Sequence, residues 1–144
     1  MNRKDFNTTI SVNTTAGDAF KKIAQVDSWW AKDFTGKAEK LNDTFTIRFG
    51  DTFVDFKITE VIPKEKITWY VTNSFLPWLK DKTEWNNTKV VFELASTNNQ
   101  LKIDFTHVGL VPEVECYDQC EKGWTRFVTV SLLKFLTEGK GLPE

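Results

Sequence analysis

The sequence contains no long apolar run. A helix that spans a membrane needs about 18 or more consecutive apolar residues, and no segment of the 144-residue chain approaches that length. The first residues, from Met1 to Asp5, are mostly charged or polar and lack the apolar stretch that directs secretion. We therefore expect a cytoplasmic protein.

An excess of charge of either sign is also missing. The 19 basic and 20 acidic residues give a formal net charge of −1, which creates no long-range field to attract nucleic acid or an anionic membrane. Repeats, low-complexity segments and linkers are absent as well. The sequence therefore predicts a single domain over residues 1–144, large enough to fold around one core without a disulfide or a metal.

Metal-binding residue types are scarce. The chain has one histidine, His107, and two cysteines, Cys116 and Cys120. Cysteines four residues apart on a helix have Cβ atoms about 5–6 Å apart, whereas a disulfide needs about 3.5–4.5 Å, so we expect free thiols. A Cys2His set is a known zinc arrangement, but buried free cysteines commonly serve as small apolar core residues. We predict no metal and no cofactor.

Hydrophobic periodicity predicts the order of the elements. Alternation predicts a first strand over Phe6–Val12, and apolar residues at helical spacing predict a helix capped by Thr14 or Thr15. A second short helix is expected to follow, beginning near Asp27 and ending near Lys32. Period-two alternation then predicts an antiparallel sheet of six to seven strands.

The end of the chain carries a different period. Apolar residues recur at helical spacing after Pro112, and Gly139 follows the last of them. This pattern predicts a long amphipathic helix over residues 112–138. Gly123 lies in the middle of that helix, where glycine is unfavourable, and we expect it to allow a close approach to another group.

Short motifs follow one another in a defined order along the chain. They are Trp29-Trp30, Glu84-Trp85-Asn86-Asn87-Thr88, Phe105-Thr106-His107-Val108-Gly109-Leu110, Gly123-Trp124 and Ser131-Leu132. Their order resembles the START-like (SRPBCC) helix-grip superfamily, and within it the branch related to the C-terminal domain of the activator of the heat-shock protein 90 ATPase. The resemblance implies an α+β fold in which a curved antiparallel sheet wraps around the long C-terminal helix, with two short helices after the first strand.

The resemblance also implies a cavity between the sheet and the C-terminal helix that takes a hydrophobic or aromatic small molecule. Indoles stack well on flat ligands, and a few inward polar groups would orient the ligand. The apolar loop over residues 73–83 is expected to act as a lid over this cavity. We predict these ligand-binding residues: Trp30, Trp69, Trp78, Asn86, His107, Trp124, Phe127 and Ser131.

Each candidate residue also has a structural interpretation. The tryptophans can simply fill the core, and the histidine and the other polar residues can satisfy neighbouring backbone groups. No Ser-His-acid set, phosphate-binding glycine loop or pair of inward carboxylates is visible, so binding is favoured over catalysis, and lipid binding is included.

Two alternatives remain open. The first is an enzyme similar to polyketide cyclases or aromatases, with His107 as the general base. The second is a protein-interaction module similar to the chaperone activators, which would contact a chaperone or form a weak homodimer. Its contact surface would be the apolar patch at residues 75–79.

Overall fold

The chain folds as a seven-stranded antiparallel sheet and a set of helices, described for residues 4–144 in a computed structural model. The elements in chain order are β1 Phe6–Val12, α1 Ala16–Ala24, α2 Val26–Trp29, β2 Asp33–Gly36, β3 Thr44–Phe49, β4 Thr52–Ile62, β5 Lys66–Phe75, β6 Lys89–Thr97, β7 Gln100–Val108, α3 Tyr117–Arg126, a π-helical segment Phe127–Leu132, and α4 Leu133–Glu138. The α+β fold class, with two short helices after the first strand, is confirmed.

The sheet is built almost entirely from consecutive hairpins. Its strand order is β1-β7-β6-β5-β4-β3-β2, and every neighbouring pair is antiparallel. Positive-φ residues make the tight turns, with Gly50 between β3 and β4 and Asn98 and Asn99 between β6 and β7, as two-residue hairpin connections require. Only the first strand joins out of sequence, where β1 pairs with β7 and Phe6 lies opposite His107.

The alternation of side chains decides which face of the sheet is buried. In β7, Leu101, Ile103, Phe105 and His107 are buried while their neighbours are exposed or partly exposed. This face packs against the C-terminal helical elements, so the core lies between sheet and helix. Alternation in the sequence predicts a strand from Glu84 to Ala95, but β6 begins at Lys89, because residues 82–87 form turns.

The two short helices connect β1 to β2. The side chain of Thr15 caps α1 by accepting a 3.0 Å hydrogen bond from the backbone N–H of Asp18, which confirms one of the two predicted caps. The buried Trp29 ends α2, and its indole Nε1 donates to the carbonyl of Ile23 at 3.1 Å. This bond fixes the second helix against the first.

The C-terminal helix starts later than predicted and is not regular throughout. It begins at Tyr117, because residues 111–116 form turns instead of a first helical turn. In the π-helical segment, the N–H of Leu133 reaches back to the carbonyl of Val128, which is five residues earlier. Gly139, with a φ of 77°, ends α4 in the left-handed conformation that favours glycine. Within residues 4–144, no helix is long and apolar enough to cross a membrane.

The expectation of free thiols was also wrong. The structure joins Cys116 to Cys120 in a disulfide, with Cα atoms 5.7 Å apart, a separation inside the range of roughly 4.4–6.8 Å that disulfides use. Cys116 is the N-cap residue of α3, and the N–H of Cys120 donates to its carbonyl at 2.9 Å. The two cysteines are therefore one helical turn apart, and the Cβ separation of an ideal helix was too strict a criterion.

Candidate ligand-binding cavity

An apolar cavity of about 180 Å³ lies between the sheet and the C-terminal helix. Strands β3 and β4 form one wall, α3 and the start of the π-helical segment form the opposite wall, and the loop after β5 closes one side. The lining residues are Trp30, Ile47, Phe49, Thr52, Val54, Leu76, Trp78, Trp85, Cys120, Gly123, Trp124 and Phe127. None of them carries a charge.

Aromatic rings form most of the wall. The rings of Trp30 and Trp124 have centroids 4.6 Å apart, and Trp85 stacks on Trp124 at 6.0 Å with an interplanar angle of 15°. On the strand side, Phe49 stacks on Phe127 at 6.1 Å. Large rigid rings of this kind give a flat apolar ligand extensive contact at little cost in conformational entropy.

The polar atoms of two wall tryptophans are bonded within the protein. The Nε1 of Trp124 donates to Nδ1 of His107 at 3.0 Å, and the Nε1 of Trp85 donates to the Sγ of Cys116 at 3.4 Å. The remaining polar groups of the lining residues are neutral: the indole N–H groups of Trp30 and Trp78, the sulfur of Cys120 and the hydroxyl of the half-buried Thr52. The cavity therefore presents an almost wholly apolar surface to a ligand.

His107 lies behind this wall and is fully buried. Because its Nδ1 accepts the hydrogen bond from Trp124, a neutral ring carries its proton on Nε2, which lies 2.9 Å from the Oγ1 of Thr88. Thr88 in turn donates to the carbonyl of Trp85 at 2.6 Å. Burial lowers the pKa of His107 from 6.5 to about 3, so the imidazole is neutral near pH 7 and holds two wall tryptophans in place.

Two carboxylates tie the rim of the cavity together. Glu84 accepts hydrogen bonds from the backbone N–H groups of Glu115 and Cys116, both at 2.9 Å. The carboxylate of Glu115 accepts from the N–H groups of Lys80 at 3.0 Å and of Asp81 at 3.4 Å. Each carboxylate thus binds the backbone of a different segment, and the loop after β5 is fixed to the segment that leads into α3.

The loop after β5 lies over the cavity, which is the position that a lid would need. Leu76 and Leu79 are buried, whereas Trp78 is 51% exposed although it lines the cavity. The N–H of Leu76 donates to the carbonyl of Lys82 at 2.8 Å, which closes the loop on itself. Opening and closing of this loop stays a prediction.

Half of the predicted site residues line the cavity. They are Trp30, Trp78, Trp124 and Phe127, and their role in binding a ligand stays a prediction. The sequence argument missed Trp85, because it lies in a turn where no periodicity shows which way a side chain points. It also missed Ile47, Phe49 and Val54, whose inward position follows from alternation along β3 and β4.

The other four predicted residues lie outside the cavity wall. Trp69 is buried in the core and stacks on Trp30 at 6.1 Å, with an interplanar angle of 10°. Asn86 and His107 bond to other side chains, with Asn86 accepting a 2.7 Å hydrogen bond from Ser74.

Ser131 joins three segments near the C-terminus instead of lining the cavity. Its hydroxyl donates to the carbonyl of Trp29 at 2.6 Å and accepts from the N–H of Leu142 at 2.7 Å. Nothing within the described residues groups three metal-ligating side chains, so His107, Cys116 and Cys120 do not form a cluster.

A larger depression of about 440 Å³ lies beside the C-terminal residues, between α2 and residues 139–143. Its walls are more polar and include Lys32 and Lys140. Ligand sites are typically concave and mostly apolar. The smaller cavity against α3 is therefore the better candidate.

No protein-family model and no curated protein sequence matches the chain. Solved structures do match. The Aha1 dimer from Colwellia psychrerythraea is 23% identical with a TM-score of 0.77, and the match covers 96% of this chain and 99% of that one. DynU16, from the dynemicin biosynthetic locus, is 17% identical with a TM-score of 0.68, covering 94% of this chain and 48% of that one. CalU16 from Micromonospora echinospora is 9% identical with a TM-score of 0.62, covering 88% and 78%.

These similarities extend over nearly the whole chain and agree with the curved antiparallel sheet, the two short helices after the first strand and the long C-terminal helix. At these identities they show the fold and leave activity and ligand open. The chain has the START-like, Aha1-like helix-grip fold.

Proposed function

We propose that this protein binds a small hydrophobic or aromatic molecule in the cavity between its sheet and its C-terminal helix. The supporting observation is the wall itself, which combines a position between sheet and helix, several tryptophan and phenylalanine rings and no charged side chain. A site of this kind gains affinity by removing apolar ligand surface from water. We place this binding in the cytoplasm, the compartment that the sequence predicts.

Proton transfer is less well supported than binding. The cyclase alternative requires a general base within reach of the substrate, but His107 is separated from the cavity by the ring of Trp124 and uses both nitrogens in hydrogen bonds. With its pKa lowered to about 3 by burial, it is a weak base near pH 7. These features favour a carrier or receptor over a cyclase that uses this residue.

Intrinsic fluorescence tests the proposal directly, because four of the six tryptophans line the cavity. A panel of neutral aromatic compounds and fatty acids is titrated into the protein, and quenching is followed to saturation. Thr52→Phe adds bulk at the cavity wall and is expected to weaken binding at least tenfold. Thr72→Phe adds the same bulk at an exposed position on β5 outside the cavity and is expected to leave binding unchanged. Absence of saturable quenching by any compound would contradict the proposal.

A protein-interaction module is the second candidate, since Trp78 is half exposed in an apolar loop and such residues are frequent binding anchors. The Colwellia structure is named as a dimer, so a second copy of this chain is the first partner to test and a chaperone the next. Sedimentation of the wild type and of Trp78→Ser decides the first case. A dimer that the substitution dissociates supports this candidate, and a monomeric wild type argues against it.

A further inference from the structure

Gly123 lies in the middle of α3 with nothing against it. A Cβ atom built on this residue meets no atom within 4 Å outside its own helix backbone and its chain neighbours, although the residue is half-buried and lines the cavity. Glycine is the least favourable helix residue after proline. Glycine at this position of the cavity wall therefore makes the helix less stable than another residue would.

The usual structural reasons for a glycine do not apply here. Gly109 has a φ of 102°, and a Cβ there would lie 2.7 Å from the Thr88 side chain. At Gly141 the same atom would lie 2.5 Å from a carbonyl oxygen. Gly123 has neither a positive φ nor a close protein neighbour. The sequence predicts that Gly123 allows another group to approach the helix closely. Within the described residues, no part of the chain makes that approach.

We infer that the space over Gly123 belongs to the ligand seat, so that one face of the ligand lies against the bare helix backbone between Trp124 and Cys120. The inference rests on the proposed binding function and specifies its ligand as a compact, neutral molecule of about one aromatic ring. Removing a side chain at this point widens a narrow cavity on the helix side, where the flanking positions carry larger groups.

The size of the cavity supports the one-ring class. Sites for drug-sized ligands measure about 300–1,000 Å³, whereas an engineered apolar cavity of about 150 Å³ in another protein stays dry and binds benzene. The present cavity, at about 180 Å³, lies at the small end. A long acyl chain or a fused ring system would have to extend beyond the rim into solvent, and the part outside would gain no contact with the wall.

The chemistry of the wall supports a neutral ligand. The lining residues include no acid, no base and no histidine, and the indole N–H groups of Trp85 and Trp124 are already bonded inside the protein. An ionised group in this cavity would lose hydration without gaining a partner of opposite charge. A carboxylate-bearing ligand would have to keep its charged end outside the rim.

The test uses four probes and three variants of the full chain. Toluene represents the one-ring neutral class, benzoate its charged counterpart, naphthalene the fused rings and dodecanoate the acyl chains. Binding is followed by calorimetry and by shifts of the Gly123 and Trp124 amide signals in ¹H–¹⁵N spectra of wild type and of Gly123→Ala and Gly123→Leu. Gly17→Ala is the control, because its Cβ meets only a flexible lysine atom at 3.6 Å and Gly17 lies in α1, outside the cavity wall.

We expect toluene to bind the wild type more tightly than naphthalene or dodecanoate, and benzoate to bind at least tenfold more weakly than toluene. Gly123→Ala should weaken the binding of toluene about fourfold, because the added methyl group takes up space that the ligand would otherwise fill. Gly123→Leu should abolish binding, and Gly17→Ala should have no effect. Both alanine variants should remain folded, because each replaces glycine within a helix.

Each other outcome overturns a defined part of the reasoning. Tighter binding of naphthalene or dodecanoate, or equal binding of benzoate, overturns the ligand class but leaves the binding function standing. If folded Gly123→Leu binds toluene as tightly as the wild type does, the ligand does not lie over Gly123 and the inference is wrong. If no probe binds the wild type, both the seat and the proposed function fail.

Discussion

Acidification should destabilise this protein between pH 7.5 and 5.5 through one side chain, His107. It is the only histidine in the chain, and burial lowers its pKa from 6.5 to about 3. Below pH 6.5 the imidazole is therefore protonated in the unfolded state but stays neutral in the folded state. The contribution of His107 to the free energy of unfolding is thus complete above pH 6.5 and decreases as the pH falls. Between pH 7.5 and 5.5 the loss amounts to about 1.4 kcal/mol, since each pKa unit corresponds to about 1.36 kcal/mol.

Urea unfolding at pH 7.5, 6.5 and 5.5 measures this loss directly. Unperturbed carboxyl groups titrate mainly below this window, at pKa values of about 3.9–4.3. The control is His107→Gln, which lowers stability at every pH because a buried hydrogen bond is lost, but which should show no loss between pH 7.5 and 5.5. A flat wild-type profile, or the same slope in wild type and variant, would refute the assignment of a buried neutral imidazole.

Three further tests address contacts elsewhere in the fold by chemical denaturation, with proteolysis added for the second. Trp29→Phe should cost about 1–3 kcal/mol more than Trp69→Phe, because the first indole N–H bonds a carbonyl while the second has no partner among the described residues; equal costs would contradict the assigned bonds. Ser131→Ala should cost about 1–3 kcal/mol and speed proteolysis at the C-terminus, and an unchanged cleavage rate would argue against its bridging role. Gly109→Ala should cost more than Gly50→Ala, since both have positive φ but only the first lacks space for a methyl group, and the reverse order would show that local packing is misjudged.

The sheet was the most predictable part of the fold. Alternating side chains along β3 and β4 predict which residues face inward, and the Gly50-Asp51 turn sets the register that places Phe45 opposite Phe56. A one-residue slip would move every apolar side chain of a strand to the solvent face. A short hairpin therefore leaves little freedom, and the sequence pattern predicts the pairing of β3 with β4. The two register shifts between β4 and β5 leave no such signal.

The site was harder to predict, because it depends on contacts between distant residues. The two partners of His107, Thr88 and Trp124, are 19 and 17 residues away along the chain, and nothing in the periodicity indicates that both ring nitrogens are engaged. The helix start was predicted wrongly for the same kind of reason. Residues before Tyr117 have a proline and apolar spacing compatible with a helix, but their N–H groups bond to the carboxylate of Glu84 instead.

The π-helical segment Phe127–Leu132 bears on how this chain should be aligned with its structural relatives. A π-helical turn holds about one more residue than an α-helical turn, and each residue turns the chain by about 100° around the helix axis. Relative to an uninterrupted α-helix, everything after Leu132 is thus displaced by one position. An alignment with a relative whose C-terminal helix is regular needs a one-residue gap inside the helix. Without that gap, Phe135 and Leu136 would be compared with residues that face another direction.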